Sequence, residues 1–296
     1  MSLDLDPRQR AMLQEMGVKV WSPLPQFAAT EALQACAEIA ATVERSAQTP
    51  AQQERTVPAV RPAAVPAAAA PGAAAMALQP RVVGVERMDW PTLQQAVCDC
   101  RACALCSGRK HTVFGMGGLR APTADQPPLA DWLIVGEAPG EQEDLVGVPF
   151  VGPAGQLLDN MLKSMGLDRK REAARGDGQA ARGTYIANVL KCRPPSNRNP
   201  EGEEVAQCLA YLQRQIELLR PKMILAMGRF AAQALLHDSV PHTHSLPLGK
   251  LRGQVQRYRS IPVVVTYHPA YLLRAPGEKA KAWADLCLAM QTFSEL

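Results

Sequence analysis

The sequence predicts an α/β protein, a three-layer α/β/α sandwich around a central, mostly parallel four-stranded sheet. Four short apolar runs have the length and the β-branched content of buried strands. Segments with apolar residues at helical spacing lie between these runs and after the last one. Strands that are buried on both faces and alternate with helices are typical of a parallel sheet that helices cover on both sides.

The predicted elements follow one another from residue 133 onward. Strands are predicted at 133–135, 185–190, 223–227 and 261–266, and helices at 154–167, 199–219, 228–236 and 278–293. Asn199 is predicted as a helix N-cap, because Pro200 follows it at the first helical position. Ligand sites of open α/β sheets lie beyond the carboxyl ends of the strands. The segments after these four strands are therefore the first candidates for a functional site.

The first 84 residues differ in composition from the rest of the chain. Residues 7–45 place apolar residues at roughly helical spacing, which predicts a helical appendage over 1–45. Residues 46–84 are rich in Ala, Pro, Gln and Thr, which is typical of a disordered or semi-extended linker. One folded domain is therefore expected over 85–296. We expect a monomer, and the N-terminal segment is a candidate docking element for an unidentified protein.

The charge distribution and the lack of targeting signals indicate the type of partner and the compartment of the chain. Residues 1–85 carry seven basic and seven acidic residues, so the net charge of +4 arises after residue 85. A basic domain suits a polyanionic partner. The chain opens without a hydrophobic signal segment, and none of its apolar runs reaches transmembrane length. A cytoplasmic protein without a membrane partner is expected, in a compartment where clustered cysteines more often bind metal than form disulfides.

Four of the eight cysteines form two pairs with very different spacing. The pairs are Cys100 with Cys103 and Cys192 with Cys208. Thiolates suit zinc and iron. Zinc ribbons usually have two close C-x2-C steps, whereas one close and one wide pair suits a larger cubane cluster held from several directions. Cys98 and Cys106 flank the first pair, so they stay open as substitute ligands.

Four further positions have the character of a pocket for a small planar ligand. The turn that begins at Gly136 allows backbone to approach a ligand closely. Phe150 lies between turn-forming residues, where its ring can present a face for stacking. Asn188 interrupts an apolar strand, and a buried amide needs hydrogen-bond partners. His268 stands at the end of a strand, before Pro269. Each position also has an ordinary interpretation as a turn, a core side chain or a structural histidine.

Taken together, these segments resemble the family 4 uracil-DNA glycosylases, the iron–sulfur branch of the uracil-DNA glycosylase superfamily. The resemblance covers residues 95–290 and leaves residues 1–85 unexplained. The matching blocks are Cys100-Arg101-Ala102-Cys103, Val113-Phe114-Gly115, Gly136-Glu137-Ala138-Pro139-Gly140-Glu141, Glu143-Asp144, Pro149-Phe150-Val151-Gly152, Asn188-Val189, Lys191-Cys192-Arg193-Pro194-Pro195 and His268-Pro269-Ala270-Tyr271-Leu272-Leu273-Arg274. A charged insertion at 169–183 lengthens the usual gap before Asn188.

The resemblance implies an enzyme of base excision repair. Its substrate would be uracil-containing DNA, single- or double-stranded, and its reaction the hydrolysis of the N-glycosidic bond of a flipped-out deoxyuridine, which leaves an abasic site. The resemblance also implies a [4Fe-4S] cluster on the two cysteine pairs, Cys100, Cys103, Cys192 and Cys208. A structural role is expected for the cluster, because hydrolysis needs no redox step.

The resemblance also suggests roles for individual pocket residues. Phe150 is expected to stack on uracil and Asn188 to hydrogen-bond its edge, while His268 donates to the uracil oxygen on which negative charge grows. The backbone of Gly136, Glu137 and Ala138 is expected to line the pocket, and the carboxylate of Glu137 is a third catalytic candidate beside Asn188 and His268. These expectations describe a pocket that reads one base and stabilises its departure.

Three positions bear on water and DNA. The best-known superfamily branch has an Asp that positions the attacking water where this chain has Ala138, so a dissociative route with late water capture is expected. Leu272 is expected as an apolar wedge in the minor groove. Arg274 is expected to contact a phosphate, which adds affinity but little sequence information.

Other function classes fit parts of the sequence. The main alternative is a binding module that holds uracil-containing DNA with little or no turnover. One superfamily branch traps uracil covalently through a histidine in an inserted loop, but residues 194–200 contain no histidine. An electron carrier built on the cluster, or a recruiting factor that uses residues 1–45, are further alternatives.

Overall fold

The computed structural model describes residues 78–118, 129–170 and 183–296. All described residues belong to one compact unit, which contains residues 75–296. The predicted appendage over 1–45, most of the linker over 46–84 and residues 171–182 of the charged insertion lie outside the described residues. The predictions made for those segments therefore stay predictions.

A mixed six-stranded sheet forms the centre of the domain. Its strands are β1 (Met116–Gly118), β2 (Trp132–Gly136), β3 (Thr184–Asn188), β4 (Met223–Met227), β5 (Val255–Tyr258) and β6 (Ile261–Thr266). The spatial order is β1-β3-β2-β4-β6-β5. Strands β3, β2, β4 and β6 run parallel, and the two edge strands pair antiparallel.

The four parallel strands are those that the sequence predicts, and the α/β class is confirmed. The sheet has two more strands than the prediction, because β1 and β5 carry no continuous apolar run. Strand β1 consists of one methionine and two glycines, and β5 leaves alternate side chains exposed. Edge strands of this kind form by pairing with a neighbour rather than by their own burial.

Helices cover the sheet on both faces. They are α1 (Trp90–Asp99), α2 (Leu105–Gly108), α3 (Glu141–Val146), α4 (Pro153–Ser164), α5 (Gly202–Leu219), α6 (Arg229–Leu236), α7 (Leu248–Leu251), α8 (Pro269–Arg274) and α9 (Lys279–Ser294), with 3₁₀ turns at Val85–Arg87, Pro195–Asn197 and Pro276–Glu278. Leu133 and Val135 of β2 pack in one apolar cluster with α5 and α6. Trp132 points to the opposite face, where its ring stacks on Phe293 of α9 with centroids 4.8 Å apart. The alternation within β2 thus confirms the three-layer arrangement.

The start of α5 differs from the prediction. Glu201, not Asn199, is the N-cap residue, and the helix begins at Gly202. The carboxylate of Glu204 accepts a hydrogen bond from the Glu201 backbone N–H at 2.9 Å. The side chain of Glu204 also pairs with Arg198 at 2.6 Å. The Glu204 carboxylate thus caps the start of α5 at Glu201, two residues after the N-cap position that the Asn199-Pro200 pair predicts. None of the described helices is long and apolar enough to span a membrane.

Candidate active site

A cavity of about 720 Å³ opens beyond the carboxyl ends of the parallel strands. Its walls come from segments that follow β2, β3, β4 and β6. Six of the residues that line it are Glu137, Ala138, Phe150, Asn188, His268 and Arg274. The fold therefore brings together side chains that the sequence places more than a hundred residues apart, at the sheet edge where ligand sites of this fold class lie.

Gly136 permits the closest approach in the site. It pairs with Asn188 across β2 and β3 at the carboxyl ends of the two strands. A Cβ atom at Gly136 would lie 2.4 Å from Asn188 Oδ1 and 2.8 Å from Phe150 Cζ. Only glycine therefore lets the amide and the aromatic ring meet here. Gly136 lies against these two side chains, whereas Glu137 and Ala138 form the cavity wall itself.

Asn188 presents an unsatisfied acceptor to the cavity region. Its side chain is only 2% exposed, and Oδ1 has no hydrogen-bond partner among the described residues. A buried polar atom without a partner is destabilising unless a ligand or a water satisfies it. The arrangement therefore suits a bound ligand that offers an N–H group to Asn188.

His268 is held as a neutral hydrogen-bond donor. It precedes α8, and its Nδ1 accepts a hydrogen bond from the backbone N–H of Ala270 at 3.2 Å. The proton of the neutral ring must then sit on Nε2. Desolvation, with a smaller contribution from the charge of Arg274, lowers the pKa of His268 to about 4. At neutral pH the ring is therefore uncharged, with one N–H free to donate.

The rings of Phe150 and His268 are neighbours in the same wall. Their centroids lie 5.5 Å apart with an interplanar angle of 30°. Gly228 backs this pair, since a Cβ at that position would lie 3.2 Å from the Cβ of His268. A flat aromatic face, an amide acceptor and an imidazole donor thus converge, and together they can bind a planar heterocycle by stacking and by its polar edge.

Glu143 connects two loops of the site, a role that was not predicted from the sequence. Its Oε2 accepts from the Gly140 N–H at 3.1 Å, and its Oε1 accepts from the Val151 N–H at 3.0 Å. It therefore ties the turn after β2 to the loop that carries Phe150. The Gly140–Glu143 spacing at the start of α3 is that of an N-terminal cap and was the available sequence signal.

Two charged groups give the cavity a mixed electrostatic character. Glu137 is half-buried, and desolvation raises the pKa of its carboxyl, with Arg229 acting in the opposite direction. Arg229 and Arg274 are exposed where the cavity meets solvent. The wall thus combines a half-buried carboxyl group with two exposed guanidinium groups, and exposed guanidinium groups suit contact with an anionic backbone.

The prediction that Leu272 inserts into DNA is wrong in this structure. Its side chain is 0% exposed, because α8 turns this position toward the interior of the domain. The neighbouring Leu273 is 44% exposed, and Tyr271 is also exposed and lines the cavity. The helical turn thus exposes the apolar side chain one residue after the predicted position.

The four predicted ligand cysteines come together beneath the cavity. Cys192 and Cys208 are buried in one apolar cluster, and Cys103 and Ala138 pack against it. Burial raises the pKa of Cys192 to about 11 and that of Cys208 to about 12. Cys100 and Cys103 both interact electrostatically with Cys192. Ala138 lines the cavity and also packs against this cluster of cysteines.

The four cysteines supply a donor set that an iron–sulfur cluster can use. No group of three or more His, Cys, Asp or Glu side chains in the described part of the chain is arranged to hold one metal ion. Four soft thiols that approach from different segments fit an iron–sulfur cluster, whose sulfur ligands stand further apart.

Two basic side chains lie next to these thiols. Arg109 donates a hydrogen bond to Cys192 Sγ at 3.2 Å and another to the carbonyl oxygen of Cys98 at 2.7 Å. Lys191 is buried, and its Nζ donates to the carbonyl oxygen of Asn188 at 2.8 Å and to Gln215 Oε1 at 2.6 Å. The guanidinium of Arg109 beside the thiols suits an anionic cluster. Lys191, whose pKa burial lowers to about 7, connects the thiol region to Asn188. Cys98 is exposed, which sets it apart from the four buried or half-buried thiols.

Comparison with known proteins places the chain in context. A profile of the Uracil DNA glycosylase superfamily matches residues 124–287. A type-4 uracil-DNA glycosylase of Pyrobaculum aerophilum is 38% identical over 205 residues, which are 68% of this chain and 93% of that protein. A type-4 enzyme of Archaeoglobus fulgidus is 43% identical over 192 residues, covering 64% and 85% of the two chains. A third, of Thermotoga maritima, is 36% identical over 185 residues, covering 62% and 82%.

The close contact at Gly136 generates a stability prediction. Gly136→Ala is expected to lower the free energy of unfolding by about 1–3 kcal/mol, because the added methyl group overpacks a buried contact. Urea denaturation measures the effect. Gly249→Ala is the matched control, because an added Cβ there meets no atom within 4 Å, and its change should stay within about 0.5 kcal/mol. Equal unfolding midpoints for the two variants would contradict the crowding at Gly136.

Proposed function

The chain belongs to the uracil DNA glycosylase superfamily, and we propose that Phe150, Asn188 and His268 carry its reaction on uracil in DNA. It is a DNA glycosylase of DNA repair that hydrolyses the N-glycosidic bond of deoxyuridine and releases uracil. The abasic site that remains is then the substrate of later repair steps. Binding without turnover is not favoured. The observation that carries the residue assignment is the buried, unpartnered Oδ1 of Asn188 beside the ring of Phe150.

Recognition begins when the target base leaves the DNA stack. Flipping costs about a few kcal/mol, which contacts inside the pocket must offset. The face of Phe150 supplies stacking, and Asn188 Oδ1 accepts a hydrogen bond from N3–H of uracil. Cytosine has an unprotonated N3 and would place a lone pair against Oδ1. A site built around one hydrogen bond rejects such an analogue strongly, because its buried polar atom would stay unpaired.

Bond cleavage separates charge, and the pocket is arranged to stabilise both fragments. Uracil departs as an anion, and Nε2–H of neutral His268 donates to the oxygen that gains negative charge. The sugar becomes cationic, and the carboxylate of Glu137 stabilises it electrostatically. Ala138 cannot position a water molecule, so the nucleophile is captured after the bond has largely broken. The route is therefore dissociative, with stabilisation of the leaving group as its main contribution.

The thiol group has a structural role in this proposal. Cys100, Cys103, Cys192 and Cys208 would hold a [4Fe-4S] cluster that links three separate segments of the domain. The cluster would supply cross-linking and no redox step, since hydrolysis transfers no electrons. Ala138 of the cavity wall packs against the cluster that contains Cys192 and Cys208. Lys191, the residue before Cys192, donates a hydrogen bond to the carbonyl oxygen of Asn188.

DNA contacts are assigned to the exposed part of α8 and the cavity rim. Arg274 is exposed and would meet a phosphate. Leu273 replaces Leu272 as the apolar side chain that would hold the gap left by the flipped base. Both single- and double-stranded uracil-containing DNA are proposed substrates. The monomeric state, the cytoplasmic location and the docking role of the N-terminal segment remain proposals from the sequence.

The activity itself is tested with labelled oligonucleotides that carry one uracil, in single- and double-stranded form, beside matched cytosine and thymine controls. Wild-type protein should release uracil only. His268→Ala should lower the single-turnover rate by roughly 10²–10³-fold, the usual effect of removing one such donor. Intact uracil substrate after incubation with folded wild-type protein would overturn the proposed function. A near-normal rate for His268→Ala would remove only the role of this residue.

The protonation state of His268 generates a pH prediction. Its folded-state pKa of about 4 lies below the ordinary value of 6.5, and the neutral ring is the active form. The excision rate should therefore stay flat as pH falls through 6.5 and decline only toward pH 4. Folding stability should decline as pH falls from about 6.5 to about 4, because the unfolded chain binds the proton in this range and the folded chain does not. Single-turnover rates between pH 4.5 and 8.5 measure this. A wild-type inflection near pH 6.5 that disappears in His268→Ala would contradict it.

The cofactor proposal is tested by metal content. Anaerobically purified wild-type protein should contain about four iron and four sulfide per chain. Cys208→Ser should lose most of this iron together with the visible absorption of the cluster, because a buried ligand is removed. Cys98→Ser is the matched control and should keep full iron content, since Cys98 is exposed. Stoichiometric zinc in place of iron, or iron loss in the control, would contradict the ligand assignment.

A further inference from the structure

The backbone at Phe150 adopts a conformation that aromatic residues rarely take. Its φ is 55°, in the left-handed region. The ring is nevertheless held in a fixed place, with Cζ against Gly136 and its face toward His268. A strained residue at a functional site persists only where its surroundings determine its conformation. The surroundings of Phe150 must therefore hold this backbone conformation.

Arg169 binds the two carbonyl groups that flank the strained φ angle of Phe150. Its Nη1 donates to the carbonyl oxygen of Pro149 at 2.9 Å, and its Nη2 donates to that of Phe150 at 2.8 Å. The residue is only 7% exposed. The planar guanidinium thus binds two consecutive carbonyl groups at once, which a single ammonium group cannot reproduce in the same geometry.

Asp159 of α4 fixes the guanidinium in turn. Arg169 Nη2 donates to Asp159 Oδ2 at 2.9 Å, and Nε lies 2.7 Å from Oδ1 as an ion contact without an aligned hydrogen bond. The carboxylate neutralises a charge that would otherwise be buried alone, and it holds the plane of the fork. The pair therefore connects α4 rigidly to the loop that carries Phe150.

Gly155 completes the arrangement from the opposite direction. A Cβ at this position would lie 1.8 Å from the carbonyl oxygen of Phe150 and 2.3 Å from its carbonyl carbon. The first turn of α4 therefore presses directly on the peptide group whose oxygen Arg169 binds. Arg169 and Gly155 together leave that carbonyl a single position.

We propose that Arg169 and Asp159 are positioning residues that fix the ring of Phe150 for stacking on the flipped pyrimidine. The inference rests on the proposed function. Arg169 and Asp159 border a separate cavity of about 220 Å³, and neither is among the described residues that line the larger one. They act through the Phe150 backbone, so their loss lets the strained residue relax and turns the ring away from its stacking position.

The first test compares excision rates and affinities. Arg169→Lys and Asp159→Asn should each lower the single-turnover excision rate by roughly 10- to 100-fold, the range typical of losing charge-assisted hydrogen bonds. Competitive inhibition by free uracil should weaken in the same variants, because the stacking face is displaced. Lys170→Ala is the matched control on the adjacent exposed residue and should leave both values unchanged. Unchanged rates in Arg169→Lys and Asp159→Asn would overturn the proposal.

A double-mutant cycle separates positioning from general stabilisation. If Arg169 acts through the ring, Arg169→Lys should have little further effect in a Phe150→Ala background. The same fold loss in both backgrounds would overturn the proposal, because it would assign Arg169 a role independent of the ring.

Asp159→Asn provides a second variant if Arg169→Lys folds poorly. It should also lower the rate in the wild-type background and much less beside Phe150→Ala, and equal losses would again overturn the proposal. Wild-type protein that leaves uracil in DNA would refute the proposed function. Wild-type protein that excises uracil while the cycle is additive would refute the positioning role alone.

Discussion

The close approach of two side chains over Gly136 is the constraint on which the site depends. Parallel pairing of β2 with β3 puts Gly136 beside Asn188 at the carboxyl end of the sheet. The absent side chain leaves room for the amide and for the edge of Phe150. Every other contact of the base pocket is arranged around that space: Glu143 and Arg169 hold the Phe150 loop, and the start of α8 brings His268 to the same wall.

A second chain of contacts joins the pocket to the thiol group below it. Lys191 is buried between the two and donates to the backbone of Asn188 and to the side chain of Gln215, which itself donates to the Phe114 carbonyl. Ala138 belongs both to the cavity wall and to the apolar surroundings of Cys192. The backbone of Asn188 is therefore held by the same segment that contributes Cys192. The proposed base pocket and the proposed cluster site thus share one continuous set of contacts.

Much of the fold could be predicted from the sequence, because the four central strands are buried on both faces and so consist of continuous apolar runs. Strands β1 and β5 could not, since their pairing depends on neighbours that only the folded sheet supplies. The convergence of Phe150, Asn188 and His268 followed from their positions after strands and from the family resemblance. Leu272 was assigned wrongly because its orientation depends on how α8 packs. Glu143 and Arg169 were missed as braces, because the backbone groups of residues 149–151 that they bind come near them only in the folded domain.

The fixed tautomer of His268 has a consequence for its protonation state between successive turnovers. With Nδ1 occupied by the Ala270 amide and the ring uncharged, the imidazole of the proposed mechanism would enter and leave a turnover in the same state. It would donate a hydrogen bond and keep its own proton, so the uracil anion would take up a proton from solvent after release. In that mechanism no reprotonation of the histidine separates one excision from the next.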